Sequence, residues 1–113
     1  MTCDIGKAAE TLALHYLASY GFRCVQQNYQ AKRFGEIDLI GWDGQILVFV
    51  EVKWRKDQRY GTAAEMVTPA KQQRIRQAAN HFLSHYVTNA LPPCRFDVVA
   101  MSPSHTHWIK AAF

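Results

Sequence analysis

The 113-residue chain is 49% hydrophobic and carries 13 Lys and Arg against nine Asp and Glu, a net charge of +4. That apolar content excludes a mostly disordered chain, and the length leaves room for one core, so residues 1–113 are expected to form a single domain. No apolar run is long enough for a membrane span, and Asp4 and Glu10 fall where a signal peptide would be basic then apolar, so a cytoplasmic protein with no membrane partner is expected.

A first helix is predicted from about Ile5 to Tyr20, with Asp4 as N-cap and Gly21 as its stop. Ile5, Ala8, Ala9, Leu12, Tyr16 and Tyr20 make its expected apolar stripe, and Glu10 lies at helical spacing from Ala13, Leu14 and Leu17 at the stripe's edge. Strands follow at about residues 23–30, 36–42 and 46–53. In the third, Ile46, Val48, Val50 and Val52 share one face and Leu47, Phe49, Glu51 and Lys53 the other. Both faces begin apolar, which marks a central strand covered on both sides. Asp43-Gly44 is a two-residue hairpin signal between the second and third strands. A turn centred there places Glu51 opposite a residue near position 36, with Asp38 a near or diagonal neighbour. A loop is expected from Trp54 to Val67, then a helix that Thr68 caps and Pro69 opens, running to about Tyr86. Ile75, Ala78, Ala79, Phe82, Leu83 and Tyr86 should face the core. Beyond Pro92-Pro93, strands are predicted at about residues 95–101 and 107–111. The order α-β-β-β-α-β-β describes an α/β fold with a mixed central sheet flanked by helices.

The chemistry concentrates at two strand ends, Gly35-Glu36-Ile37-Asp38 and Val50-Glu51-Val52-Lys53. An uncompensated buried carboxylate costs several kcal/mol or more, so Asp38 and Glu51 at the end of a core are read as a cation site. Their oxygens suit Mg²⁺, with water and a substrate phosphate completing the octahedron. Glu36 shares a face with Asp38 and is a weaker candidate ligand. A Glu and a Lys two apart on a strand also form ordinary ion pairs without chemistry, and a helical Glu10 facing solvent is its default reading.

Seven of the 13 cations fall between positions 53 and 76: Lys53, Arg55, Lys56, Arg59, Lys71, Arg74 and Arg76. Interleaved with Trp54 and Tyr60, they suit a nucleic-acid groove, where cations meet phosphates and aromatic rings stack on bases. Lys71 stands in the first turn of its helix, where the dipole disfavours a cation, and an incoming phosphate would remove that conflict. His81 and His85 are four apart but lack the glutamate of a metalloprotease helix, and Asp97 beside Arg95 reads as a structural ion pair. Cys3, Cys24 and Cys94 show no paired spacing, so neither a disulfide framework nor a cysteine zinc site is expected.

An acidic strand followed by a Glu-x-Lys strand resembles the core of the PD-(D/E)XK nuclease superfamily, with Ile37 where that motif often has proline. The whole chain more closely resembles the YraN family of small bacterial endonuclease-like proteins. Gly6, Glu10, Gln27-Asn28-Tyr29, the two acidic strands, Arg55, Thr68-Pro69-Ala70-Lys71, Arg74-Ile75, Cys94-Arg95-Phe96-Asp97-Val98-Val99 and Trp108-Ile109-Lys110 carry that likeness. The resemblance implies a restriction-endonuclease-like fold and Mg²⁺- or Mn²⁺-dependent hydrolysis of DNA, including branched repair or recombination intermediates. In that expectation Asp38, Glu51 and Lys53 are catalytic. Asp38 and Glu51 hold the metal, with Glu10 as a further ligand by analogy with nucleases that cut branched DNA. Arg55, Lys56, Lys71 and Arg74 contact nucleic acid, and a small nuclease of this kind can act as a homodimer. The alternatives are a nucleic-acid-binding module or an accessory protein that keeps the fold without cleavage.

Overall fold

In the computed structural model, residues 5–56, 63–86 and 89–113 are described; the Asp4 cap, Cys3, Arg59 and Tyr60 lie outside them. Helix α1 (Ile5–Ser19) leads into β1 (Arg23–Gln30), a 3₁₀ turn (Lys32–Phe34), β2 (Glu36–Asp43) and β3 (Ile46–Trp54). Helices α2 (Ala63–Met66) and α3 (Pro69–Tyr86) follow, then β4 (Cys94–Met101) and β5 (Thr106–Ile109). The five strands form one sheet in the order β1-β2-β3-β4-β5. Every pairing is antiparallel except β3 with β4, whose parallel register requires the helical crossover through α3.

β3 occupies the middle of the sheet, and its alternating side chains divide the core in two. Val48 and Val50 pack with Ala9, Ala13 and Leu17 of α1, while Leu47 and Phe49 pack with Ile75, Ala78 and Phe82 of α3. The mixed sheet flanked by helices matches the sequence expectation, but three local expectations do not hold. The buried stripe of α1 is Ala9, Ala13 and Leu17, whereas Leu12 and Tyr20 are 55% and 65% exposed. Tyr86 likewise points outward at 61% exposure. The expected loop after position 54 is shortened from both ends, because Trp54 completes β3 and α2 places Met66 and Val67 in the core.

The hairpin turn is also displaced. Asp43 pairs with Ile46, so the two loop residues are Gly44 and Gln45 rather than Asp43 and Gly44. Gly44 has φ of 61°, a positive value at the first loop position, where a II′ turn takes glycine. Asp43 is held in the strand by Arg95 Nη2 at 2.7 Å and Lys110 Nζ at 3.2 Å. These contacts from β4 and the segment after β5 override the local Asp-Gly preference.

Asp97 is fully buried and structural, as its sequence neighbour suggested. Its Oδ1 accepts hydrogen bonds from Arg95 Nε at 2.9 Å and the Ala111 backbone at 3.0 Å. Its Oδ2 accepts from Arg95 Nη2 at 2.9 Å and Trp108 Nε1 at 2.7 Å. Asp97→Ala leaves these donors without their acceptor and should cost roughly 3–5 kcal/mol of unfolding free energy, read by urea titration. A loss below about 1 kcal/mol would mean that water replaces the carboxylate without penalty.

Candidate active site

The corrected turn sets the geometry of the acidic pair. The β2–β3 ladder runs from Asp43↔Ile46 to Leu39↔Val50, and one further step puts Asp38 opposite Glu51. Main-chain pairing stops there. The Val52 N–H instead donates to Asp38 Oδ2 at 2.8 Å, so a side chain takes over where the strands part. Asp38 and Glu51 are only 8% and 6% exposed.

Helix α3 brings a cation over this pair. Thr68 Oγ1 accepts the Lys71 N–H at 3.2 Å, and the Thr68 carbonyl accepts from Gln72 N at 2.9 Å. Thr68 is thus the N-cap, Pro69 the first helical residue and Lys71 the third. The Lys71 Nζ lies 3.6 Å from Glu51 Oε2, and Lys53 Nζ lies 3.9 Å from the same oxygen. The structure therefore gathers Asp38, Glu51, Lys53 and Lys71 into one cluster. Lys71, a candidate nucleic-acid contact in the first turn of its helix, thus also reaches the acidic pair through Glu51.

Burial raises the Glu51 carboxyl pKa to about 8, helped by a hydrogen bond to Asp38 and by that residue's charge, and opposed by Lys71 and Lys53. Two lysines at 3.6 and 3.9 Å do not offset the loss of water and the neighbouring carboxylate. The pair accordingly holds a proton, or a cation in its place. A buried Asp and Glu side by side offer the hard oxygen donors that Mg²⁺ and Mn²⁺ take, and those ions keep waters for their remaining positions.

Glu10 is half-buried on α1, the helix that covers the opposite sheet face. Among the described residues, no cluster of three Asp, Glu, His or Cys side chains able to hold a metal is present. Glu36 is exposed at the start of β2 and accepts a hydrogen bond from Gln30 Nε2. Arg55 and Lys56 are exposed just beyond β3, and Arg74 is exposed one helical turn after Lys71. Glu36, Arg55, Lys56 and Arg74 make no ion pair to Asp38 or Glu51 among the described contacts. His81 and His85 stack at 4.3 Å between ring centroids on α3, well along the helix from Lys71.

Residues 9–101 match the sequence profile of a family described as Uncharacterised protein family UPF0102. A UPF0102 protein of Nitrosococcus oceani is 45% identical, over 97% of this chain and 91% of its own length. One from Shewanella woodyi is 44% identical, over 96% and 90% respectively. The Symbiobacterium thermophilum protein STH1475 is 47% identical, over 91% of this chain and 86% of its own length. The family profile and these relatives each cover most of the sequence, and the chain belongs to the UPF0102 family.

Proposed function

We propose that the protein is a metal-dependent nuclease of the PD-(D/E)XK type that hydrolyses a phosphodiester bond in DNA. The observation that carries this reading is the buried Asp38–Glu51 pair at the point where the β2–β3 ladder ends, with two lysines against Glu51. Asp38 and Glu51 would hold Mg²⁺ or Mn²⁺. Such an ion supplies a water of lowered pKa and neutralises charge on the phosphate. Val52 fixes the Asp38 carboxylate through its N–H, so one ligand is oriented by the backbone of the strand that bears the other. Lys53 and Lys71 place positive charge where the phosphate gains negative charge during attack. Their ammonium groups stand 3.9 and 3.6 Å from Glu51 Oε2, which favours charge that is already positioned when the reaction begins.

The direct test is a cleavage panel with Mg²⁺ and Mn²⁺ over duplex, branched and single-stranded DNA, with Glu51→Gln as control. Metal-dependent cleavage by wild type and none by the variant is the expected result. Equal cleavage by both points to a contaminating nuclease. Binding without any cleavage across the panel leaves a nucleic-acid-binding module with the same fold.

DNA affinity should survive the loss of cleavage, because Arg55, Lys56 and Arg74 are separate from the acidic pair. Phosphate contacts release condensed counterions, so affinity should fall steeply with salt and vary little with sequence. Replacing Lys71 and Arg74 together by Ala should flatten the plot of log affinity against log salt by about one to two units, at about 0.9 per lost phosphate contact. An unchanged slope in the folded double variant would remove these two residues from the interface.

A further inference from the structure

A second feature lies farther along the same helix. The 3₁₀ turn and α3 enclose an open cleft of about 370 Å³ lined by Phe34, Gln77, Asn80, His81 and Ser84. We infer that this cleft receives an unpaired nucleobase of the nucleic-acid strand whose phosphate lies at Asp38 and Glu51. The inference rests on the proposed function in taking nucleic acid as the ligand and the Asp38–Glu51 pair as the place of its reacting phosphate.

The lining has the chemistry of base recognition. Phe34 presents an aromatic ring, the kind of surface on which any base can stack. Gln77 and Asn80 each carry one acceptor and two donor hydrogens, the combination that pairs with the edges of bases. The Tyr29 hydroxyl hydrogen-bonds to His81 Nδ1, which fixes the imidazole ring. With that hydroxyl donating, Nε2 carries the ring proton and serves as a further donor. Loss of hydration and the charges of His85 and Lys32 hold the His81 pKa below its ordinary value, which disfavours the cationic ring. None of the five lining residues is acidic, and the exposed cations Lys32, Arg33 and Arg74 flank them.

The position fits one strand that reaches both places. Lys71, Arg74, Gln77, Asn80 or His81, and Ser84 recur every three or four residues, so they wind along one continuous band of α3. Gln77 lies six positions after Lys71, about 9 Å along the axis at about 1.5 Å per residue. That span equals about two to three steps of a stacked strand at about 3.4 Å each. A base inside a duplex presents no free face to Phe34, so the cleft favours unpaired nucleotides next to the phosphate that is attacked.

The test uses a short single-stranded DNA with one central 2-aminopurine and the matched duplex, both in EDTA so that nothing is cut. Wild type should bind the single strand at least about fivefold more tightly than the duplex, with a change in 2-aminopurine fluorescence as the base leaves its neighbours. Phe34→Leu keeps an apolar side chain for packing, and Gln77→Glu alters an exposed helix position. Each should weaken single-strand binding roughly five- to a hundredfold while leaving duplex affinity within about twofold. Thermal melts of both variants confirm that the fold persists. Wild-type single-strand affinity in both folded variants, an equal loss for strand and duplex, or no preference in wild type would each overturn the inference. Cleavage is read separately. If wild type cuts DNA and neither variant changes strand preference, the cleft falls and the nuclease reading stands; if nothing is cut but the preference is lost in both variants, the cleft stands and hydrolysis falls.

Discussion

Glu51→Gln should cut metal-dependent cleavage severely and, without metal, make the protein more stable at pH 8 than wild type. The two effects share one cause. The Glu51 carboxyl ionises near 4.5 in the ordinary case but near 8 in the fold. Between those values the folded state binds more protons than the unfolded chain, so wild-type stability falls as pH rises, by up to about 1.4 kcal/mol per pH unit. His81 has the opposite sign: its lowered pKa costs stability only as pH drops below about 6.5, so a window from about pH 6.5 to 8 isolates Glu51. Urea unfolding in EDTA should show wild type weakening across that window by on the order of 2 kcal/mol, and Glu51→Gln staying level. Adding Mn²⁺ should reverse the wild-type loss, since a ligand at about 100 times its Kd contributes about 2.7 kcal/mol, and should do nothing for the variant. Cleavage should drop by about 10²–10³-fold or more. A variant with wild-type Mn²⁺ stabilisation would remove Glu51 from the metal site, and one with the same pH slope would remove its ionisation from the stability of the fold.

The acidic pair was legible in the sequence as two strand ends, yet its geometry was not. The period-two pattern of Leu47 to Lys53 located β3 at the centre because both of its faces begin apolar. The register failed by two residues because Asp43-Gly44 is a strong local turn signal, whereas Arg95 and Lys110 draw Asp43 into the strand. That slide turns Asp38 from a diagonal neighbour of Glu51 into the residue facing it, which is what the proposed chemistry requires. In α1, apolar residues occur on both sides of the helix, and periodicity alone does not rank Leu12 against Ala13. The small side chains of Ala9 and Ala13 let the helix approach the sheet closely, and Leu12 is left outside. Lys71 carried a signal of a different kind. A cation in the first turn of a helix conflicts with the dipole, and the conflict pointed to an incoming phosphate; nothing local said that the Lys71 ammonium group would lie 3.6 Å from Glu51, 20 positions earlier.

Lys53→Ala should lower the cleavage rate at saturating DNA by about 10²–10³-fold while changing DNA affinity by no more than a few-fold. Lys53 is 30% exposed at its side chain and shares a face of β3 with Glu51, so its ammonium group is held beside the carboxylates rather than on the open surface. A charge so placed acts chiefly where negative charge accumulates on the phosphate, and removing one such donor typically costs 10²–10³ in turnover. Ground-state binding is shared among Arg55, Lys56, Arg74 and other exposed cations, so the loss of one charge there is diluted. Lys53→Arg keeps the charge but changes its shape and reach, so it should recover only part of the rate. Lys71 provides the internal comparison. Its Nζ is 0.3 Å closer to Glu51 Oε2, 3.6 against 3.9 Å, but it arrives from α3 and begins the band of polar residues that leads to the cleft. Lys71→Ala should therefore weaken DNA binding and flatten the salt dependence as well as slow turnover, whereas Lys53→Ala should act on turnover alone. Single-turnover kinetics on a labelled DNA at several protein concentrations separates the two effects. If Lys53→Ala instead lost binding while its rate at saturation stayed normal, Lys53 would be a docking residue and the reacting phosphate would have to be stabilised by Lys71.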